Sequence, residues 1–129
     1  MKLLLDTNAY VAFMKGQLDI IEPIRAAEQL VFSAVVMGEL LFGFRNGNRY
    51  GQNMKELESF LSNPYVSFLP VTAVTADRFG RIASALKRAG TPIPTNDIWI
   101  AAQTMEAGAE LLTLDKHFEK VAGLVLTDL

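Results

Sequence analysis

Short apolar runs alternate with longer segments of helical periodicity along this chain. An apolar run without polar alternation is typical of a strand that is buried on both faces of a parallel sheet. We interpret five runs as strands: residues 2–5, 30–32, 66–71, 110–114 and 124–126. Because helical segments separate these runs, the pattern predicts a three-layer α/β domain with a central parallel sheet.

The segments between the strands have apolar residues at helical spacing, and residues at their ends suit helix caps. Asp19, Ser33, Thr75 and Thr95 each precede such a segment and are predicted N-caps, whereas Gly90 is a predicted C-cap. The predicted helices lie near residues 7–15, 20–27, 34–42, 52–61, 76–90 and 96–105. The helix after Ser33 is apolar nearly all round, so we expect it to be buried.

Composition limits the kinds of site that this chain can build. The 129 residues suit a single domain spanning residues 1–129. The chain has no cysteine and one histidine, His117, which excludes disulfides, thiolate zinc sites and zinc sites with several imidazoles. A bound metal would therefore be held by oxygen, which points to Mg²⁺ or Mn²⁺.

Charge and hydropathy say less about partners. The formal net charge of −2 leaves no basic footprint for nucleic acid, although it does not exclude such binding. Asp6 ends the first apolar run too early for a signal peptide, and no stretch approaches the length of a membrane span. We therefore expect a cytoplasmic protein with no membrane association.

Four acidic residues stand at positions that the predicted fold brings to one edge of the sheet. Asp6 and Asp115 each end a strand, and parallel strands share a direction. Asp97 lies in the first turn of a helix that follows a crossover, and Glu39 is the single charge in the apolar helix. Four crowded carboxylates raise one another's pKa and destabilise a fold, so a bound divalent cation would explain them.

Each of these acids also has a simpler explanation. Asp115 suits a turn or an N-cap, Asp97 complements a helix dipole, and Glu39 would be an ordinary residue if it faced solvent. His117 is predicted to be a surface residue at a helix start rather than a catalytic group.

A basic segment follows the apolar helix. Residues 43–55 carry Arg45, Arg49 and Lys55 with no acidic residue among them, around an Asn-Gly-Asn turn signal. This segment is either a mobile basic rim that contacts RNA phosphates or an ordinary solvated loop.

Four motifs in order along nearly the whole chain resemble a PIN domain, most of all the VapC-type ribonuclease toxins of bacterial and archaeal toxin–antitoxin pairs. These motifs are Leu4-Leu5-Asp6-Thr7-Asn8, Ser33 through Glu39-Leu40 with Gly43, Asn96-Asp97-Ile98 and Leu112-Thr113-Leu114-Asp115 with His117-Phe118. The resemblance implies an α/β/α sandwich with a metal-dependent endoribonuclease site.

The resemblance also implies roles and partners. Its principal metal ligands would be Asp6 and Asp97, completed by Glu39 and Asp115, with Thr113 as the small hydroxyl residue and Asn8 as a supporting polar residue. Mg²⁺ or Mn²⁺ would activate water for hydrolysis of an RNA phosphodiester. A cognate VapB-type antitoxin would neutralise the toxin, and the chain would form a homodimer, or a heterotetramer or larger assembly with the antitoxin.

Two other enzyme classes fit the sequence less well than a ribonuclease does. An aspartate-nucleophile phosphatase of the haloacid dehalogenase type also opens with a strand ending on aspartate, but it needs a second aspartate where Asn8 stands. A serine hydrolase would need a Gly-x-Ser-x-Gly elbow, which is absent. A non-catalytic RNA- or protein-binding module of the same fold remains the alternative.

Overall fold

The computed structural model describes residues 1–129 and contains four strands and six α-helices, followed by one short 3-10 helix. The strands are β1 (Lys2–Leu5), β2 (Gln29–Ser33), β3 (Val66–Leu69) and β4 (Glu110–Leu112). The helices are α1 (Thr7–Met14), α2 (Leu18–Ala26), α3 (Ala34–Arg45), α4 (Tyr50–Leu61), α5 (Ala73–Ala89), α6 (Thr95–Glu106) and the 3-10 helix Lys116–Lys120.

The strands form one all-parallel sheet in the order β3-β2-β1-β4, flanked by helices. Leu4 pairs with Val31 on one side and with Leu111 on the other, so β1 lies in the middle of the sheet. The backbone N–H of Asp6 donates to the carbonyl of Leu112 at 3.2 Å. The predicted α/β class is confirmed, and the carboxyl ends of β1 and β4 lie side by side.

The last predicted strand is wrong in extent. Residues 124–126 contribute a single parallel bridge, Leu126 to Leu111, rather than a fifth strand. Two backbone hydrogen bonds hold it: Leu111 N–H to Val125 at 2.8 Å, and Thr127 N–H to Leu111 at 3.0 Å. This short segment can pair only with β4, which itself has three residues.

Two of the predicted helix caps are confirmed. The Ser33 hydroxyl accepts from the backbone N–H groups of Val35 and Val36, which begins α3. Gly90 ends α5 with φ +70°, a left-handed conformation that a side chain would disfavour.

The other three predicted N-caps are wrong. Helix α2 begins at Leu18, which places Asp19 inside its first turn. Thr72 is the N-cap of α5, and the predicted cap Thr75 is the third helical residue, whose hydroxyl accepts from the Thr72 N–H. Thr95 is the first residue of α6 rather than its cap. Polar residues are common both at caps and in first turns, so the sequence predicts the first residue of each helix only approximately.

The core lies on both faces of β1, with Leu3, Leu4 and Leu5 fully buried. On one face, Tyr10 of α1 makes edge contacts with Phe32 of β2 and Phe60 of α4 at centroid distances of 5.8 and 5.4 Å. These contacts fix α1 directly after the carboxyl end of β1. No helix is long and apolar enough to cross a membrane.

The prediction that α3 is buried all round is wrong. Only Val36 and Leu40 are fully buried, whereas Phe42 is 73% exposed. The helix therefore buries one stripe, and its apolar outer face is left uncovered in the single chain.

Candidate metal and catalytic site

Asp6 stands at the end of β1 and caps helix α1. Its Oδ1 accepts from the Ala9 N–H at 2.8 Å, and its Oδ2 accepts from the Thr113 hydroxyl. The residue is only 4% exposed. Capping therefore holds a nearly buried carboxylate at the edge of the sheet.

Thr113 links the ends of β1 and β4. Its hydroxyl donates to Asp6 and accepts the backbone N–H of Asp115 at 3.0 Å. The resemblance to PIN domains implied that Thr113 lies near the site, and the structure places its hydroxyl between Asp6 and Asp115.

His117 bridges the other two aspartates. Its Nε2 lies 2.6 Å from Asp97 Oδ2, and its Nδ1 lies 2.7 Å from Asp115 Oδ1. Each contact needs one proton, so the trio holds either an imidazolium between two carboxylates or a neutral imidazole with one protonated carboxyl group. Both arrangements give the trio a net charge of −1.

Glu39 is half-buried on α3 and faces the same edge. Its Oε1 accepts from the Thr7 hydroxyl at 2.6 Å, and its Oε2 accepts from Asn96 Nδ2 at 3.4 Å. Thr7 follows Asp6 and Asn96 precedes Asp97, so these bonds tie Glu39 to the segments that carry both aspartates. Asn8, the predicted supporting residue, is exposed and makes no side-chain hydrogen bond.

The acids interact electrostatically. Burial raises the pKa of Asp6, and the charges of Asp97 and Asp115 raise it further, while bonds from Thr113 and Ala9 lower it. Burial also raises the pKa of Asp97; the bond and charge of His117 oppose this effect, and the charges of Glu39 and Asp115 add to it. The four carboxylates therefore share one electrostatic environment.

Such an arrangement suits a divalent cation. Ligand atoms of Asp97, Asp115 and His117 all lie within 4.8 Å of one another. Carboxylate oxygens are the ligands that Mg²⁺ and Mn²⁺ prefer. The two aspartates of this group thus fit the cation expected from composition, whereas neither Asp6 nor Glu39 belongs to the group.

The two predicted RNA-contacting arginines lie beyond the acids, near the end of α3. The Arg45 guanidinium packs over the Tyr50 ring at 5.0 Å and donates to its hydroxyl at 3.3 Å. Arg49 immediately precedes α4 and lines a cavity of about 620 Å³ between α1 and α4. Both arginines are exposed, and neither forms an ion pair with the acidic cluster.

The sequence profile of the PIN domain matches residues 3–124, nearly the whole chain. The chain belongs to the PIN-domain family. Ribonuclease VapC1 of Haemophilus influenzae strain R2866 is 30% identical to this PIN domain over an alignment of 130 positions. The alignment covers 97% of this chain and 96% of the relative.

Solved structures agree over the same length. VapBC2 from Rickettsia felis, bound to a DNA fragment from its promoter, superposes with a TM-score of 0.89 at 25% identity, covering 100% of this chain and 99% of that one. VapBC-1 from nontypeable H. influenzae superposes with a TM-score of 0.86 at 29% identity, covering 99% of this chain and 98% of that one. The PIN fold therefore extends over the entire chain.

Three residues that contact the acidic cluster were not predicted from the sequence. His117 was predicted to be a surface residue, yet it bridges two acids. Thr7 and Asn96 were not proposed, yet both hold Glu39. Each is one or two positions from a predicted acid, which is the local signal that could have found them.

Proposed function

We propose that this protein is a Mg²⁺- or Mn²⁺-dependent endoribonuclease, a VapC-type toxin that hydrolyses RNA phosphodiester bonds. The observation that carries the proposal is the convergence of Asp6, Glu39, Asp97 and Asp115 at the carboxyl edge of the sheet. The H. influenzae relative is named a ribonuclease, which supports the same chemistry.

In this proposal Asp6 and Asp97 are the principal metal ligands, and Glu39 and Asp115 complete the set. A cation held there would lower the pKa of a bound water and would neutralise charge on the phosphoryl oxygens. Thr113 fixes the orientation of Asp6 through its hydroxyl. Asp115 or Glu39 accepts the proton of the attacking water, because both are half-buried and keep contact with solvent.

RNA binding would need positive charge near these acids. Arg45 and Arg49 are proposed phosphate contacts because both are exposed, and Arg45 lies six residues after Glu39 on the same helix. Stacking on Tyr50 holds the Arg45 guanidinium in place without removing its charge.

The partner follows from the same family. The similar R. felis and H. influenzae structures are VapBC assemblies, which supports a cognate VapB-type antitoxin for this chain. We further propose a homodimer, or a heterotetramer or larger assembly with the antitoxin. The exposed Phe42 on α3 offers apolar surface for such an association. A cytoplasmic location is part of this proposal.

The test is RNA cleavage by purified protein with Mg²⁺ or Mn²⁺, compared with excess EDTA. Asp97→Asn should abolish cleavage while the circular dichroism spectrum stays unchanged, because the substitution removes one ligand charge and keeps the shape. Asp128→Asn is the matched control, since that aspartate is exposed at the far end of the chain. Metal-dependent cleavage by Asp97→Asn would contradict the site. RNA binding without any cleavage by the wild type would favour the non-catalytic module.

A further inference from the structure

A cleft of about 270 Å³ lies between α5, α6 and the end of the 3-10 helix, outside the acidic cluster. Its floor is apolar and includes Ile82, Leu86, Met105 and Val121. Ile82, Leu86 and Val121 belong to the buried core. Packing in the core therefore holds the floor of the cleft in place.

Three cationic side chains line the same cleft: Arg78, Arg81 and Lys120. Arg81 pairs with the exposed Asp77 at 3.0 Å, whereas Arg78 and Lys120 make no ion pair. The Nε–H of Arg78 is buried without a hydrogen-bond partner. In a chain of net charge −2, these cations are a local excess of positive charge beside an apolar floor.

The cleft and the acidic cluster share two structural elements, α6 and the 3-10 helix. Lys120 lies three residues after His117 in the 3-10 helix, a rise of about 6 Å. Met105 lies eight residues after Asp97 along α6, a rise of about 12 Å. An RNA strand of several nucleotides is long enough to span these rises and to contact both sites.

We propose that this α5–α6 cleft binds a nucleotide of the RNA strand that is cleaved at the acidic cluster; the inference rests on the proposed ribonuclease function. A base would lie against the apolar floor, and flanking phosphates would contact Arg78 and Lys120. The acids themselves repel phosphate, so cations on the neighbouring elements lower the electrostatic cost of bringing RNA to the site. The combination of an apolar floor and a cationic rim matches the two faces of a nucleotide.

The first test is a salt titration of the binding of fluorescein-labelled single-stranded RNA in EDTA, followed by anisotropy. Each of Arg78→Ala and Lys120→Ala should weaken binding and lower the slope of log K against log salt concentration by about 0.7. Arg25→Ala is the matched control, because this exposed arginine lies on α2, away from the cleft. The salt slope of this variant should match that of the wild type. An unchanged slope in both cleft variants would overturn the subsite.

The second test is photocross-linking with RNA that contains 4-thiouridine, followed by mass spectrometry. We expect adducts on peptides containing Met105 or Lys120. Adducts confined to other surfaces, with cleavage intact, would refute the cleft and leave the ribonuclease function standing. Cleft-dependent binding without cleavage by the wild type would support the RNA subsite and refute the ribonuclease function. If the wild type neither binds nor cleaves RNA, both the RNA subsite and the ribonuclease function are refuted.

Discussion

Replacing Asp6 by asparagine separates the structural role of this residue from its charge. Asparagine and aspartate are equally good N-caps, so Asp6→Asn keeps the bond from the Ala9 N–H, while the bond with Thr113 reverses because the amide nitrogen donates to the hydroxyl. The substitution removes a nearly buried negative charge whose pKa is raised by burial and by Asp97 and Asp115. The metal-free variant should therefore be more stable than the metal-free wild type at neutral pH, although we expect it to lack catalytic activity.

The sign of the pH dependence follows from the raised pKa. The folded protein holds the Asp6 proton more tightly than the unfolded chain, in which the pKa is near the ordinary value of 3.8. The contribution of Asp6 to stability is therefore fully present below that value and is lost as the pH rises through the raised folded pKa. Each pH unit of difference between the two pKa values costs about 1.4 kcal/mol. Asp97 contributes with the same sign.

A bound cation should reverse this loss. At a free concentration of one hundred times Kd, a ligand that binds only the folded state adds about 2.7 kcal/mol. For a chain of 129 residues, 1 kcal/mol shifts Tm by about 4 °C, so Mg²⁺ or Mn²⁺ should raise the Tm of the wild type by about 10 °C. The rise should be much smaller in Asp6→Asn, because one ligand charge is missing.

Differential scanning fluorimetry from pH 5 to 8, with EDTA or with metal, measures both effects. Asp6→Ala is the control: it removes the same charge but also the cap, so its Tm in EDTA should be lower than that of Asp6→Asn by the equivalent of about 1 kcal/mol. The reasoning fails if Asp6→Asn is less stable than the wild type in EDTA at pH 8, or if it retains the full metal-induced rise.

Two further predictions concern a buried link and the basic segment. Gln103→Leu should lower the free energy of unfolding by about 2 kcal/mol, because the Ser33 hydroxyl and the Leu69 carbonyl lose a buried partner. Urea unfolding measures this loss, and an unchanged midpoint would contradict it. Arg45→Ala and Arg49→Ala should each lower the salt slope of RNA binding by about 0.7, which the same anisotropy titration measures. Slopes equal to that of the wild type would make this segment an ordinary surface.

The edge at which the acids gather could be predicted from the sequence because two strong rules apply there. The apolar runs before Asp6 and Asp115 suit buried parallel strands, and strands that run the same way end at the same edge. Glu39 was found as a charge inside an apolar segment. These inferences needed only residue type and order along the chain.

Details that depend on contacts between distant segments could not be predicted in this way. Thr7 meets Glu39 across 32 positions, Asn96 meets it across 57, and His117 meets Asp97 across 20. A histidine beside a short helix has no periodicity that distinguishes a surface position from a bridge between acids. Helix packing and the exact path after β4 decide which of the two it becomes.

The fold holds acidic side chains together at this site although their charges repel one another. Asp6 is buried because it caps α1 between two strand ends, and Asp97 is held by His117, so neither carboxylate can turn away to solvent. Rigid, poorly hydrated carboxylates are unfavourable alone and favourable around a divalent cation. Because the ligands are already held in place, little conformational entropy remains to be lost when the cation binds. Burial and mutual repulsion make the metal-free protein less stable at neutral pH, whereas the hydrogen bonds from Ala9 and Thr113 hold Asp6 in the orientation that we propose for metal binding.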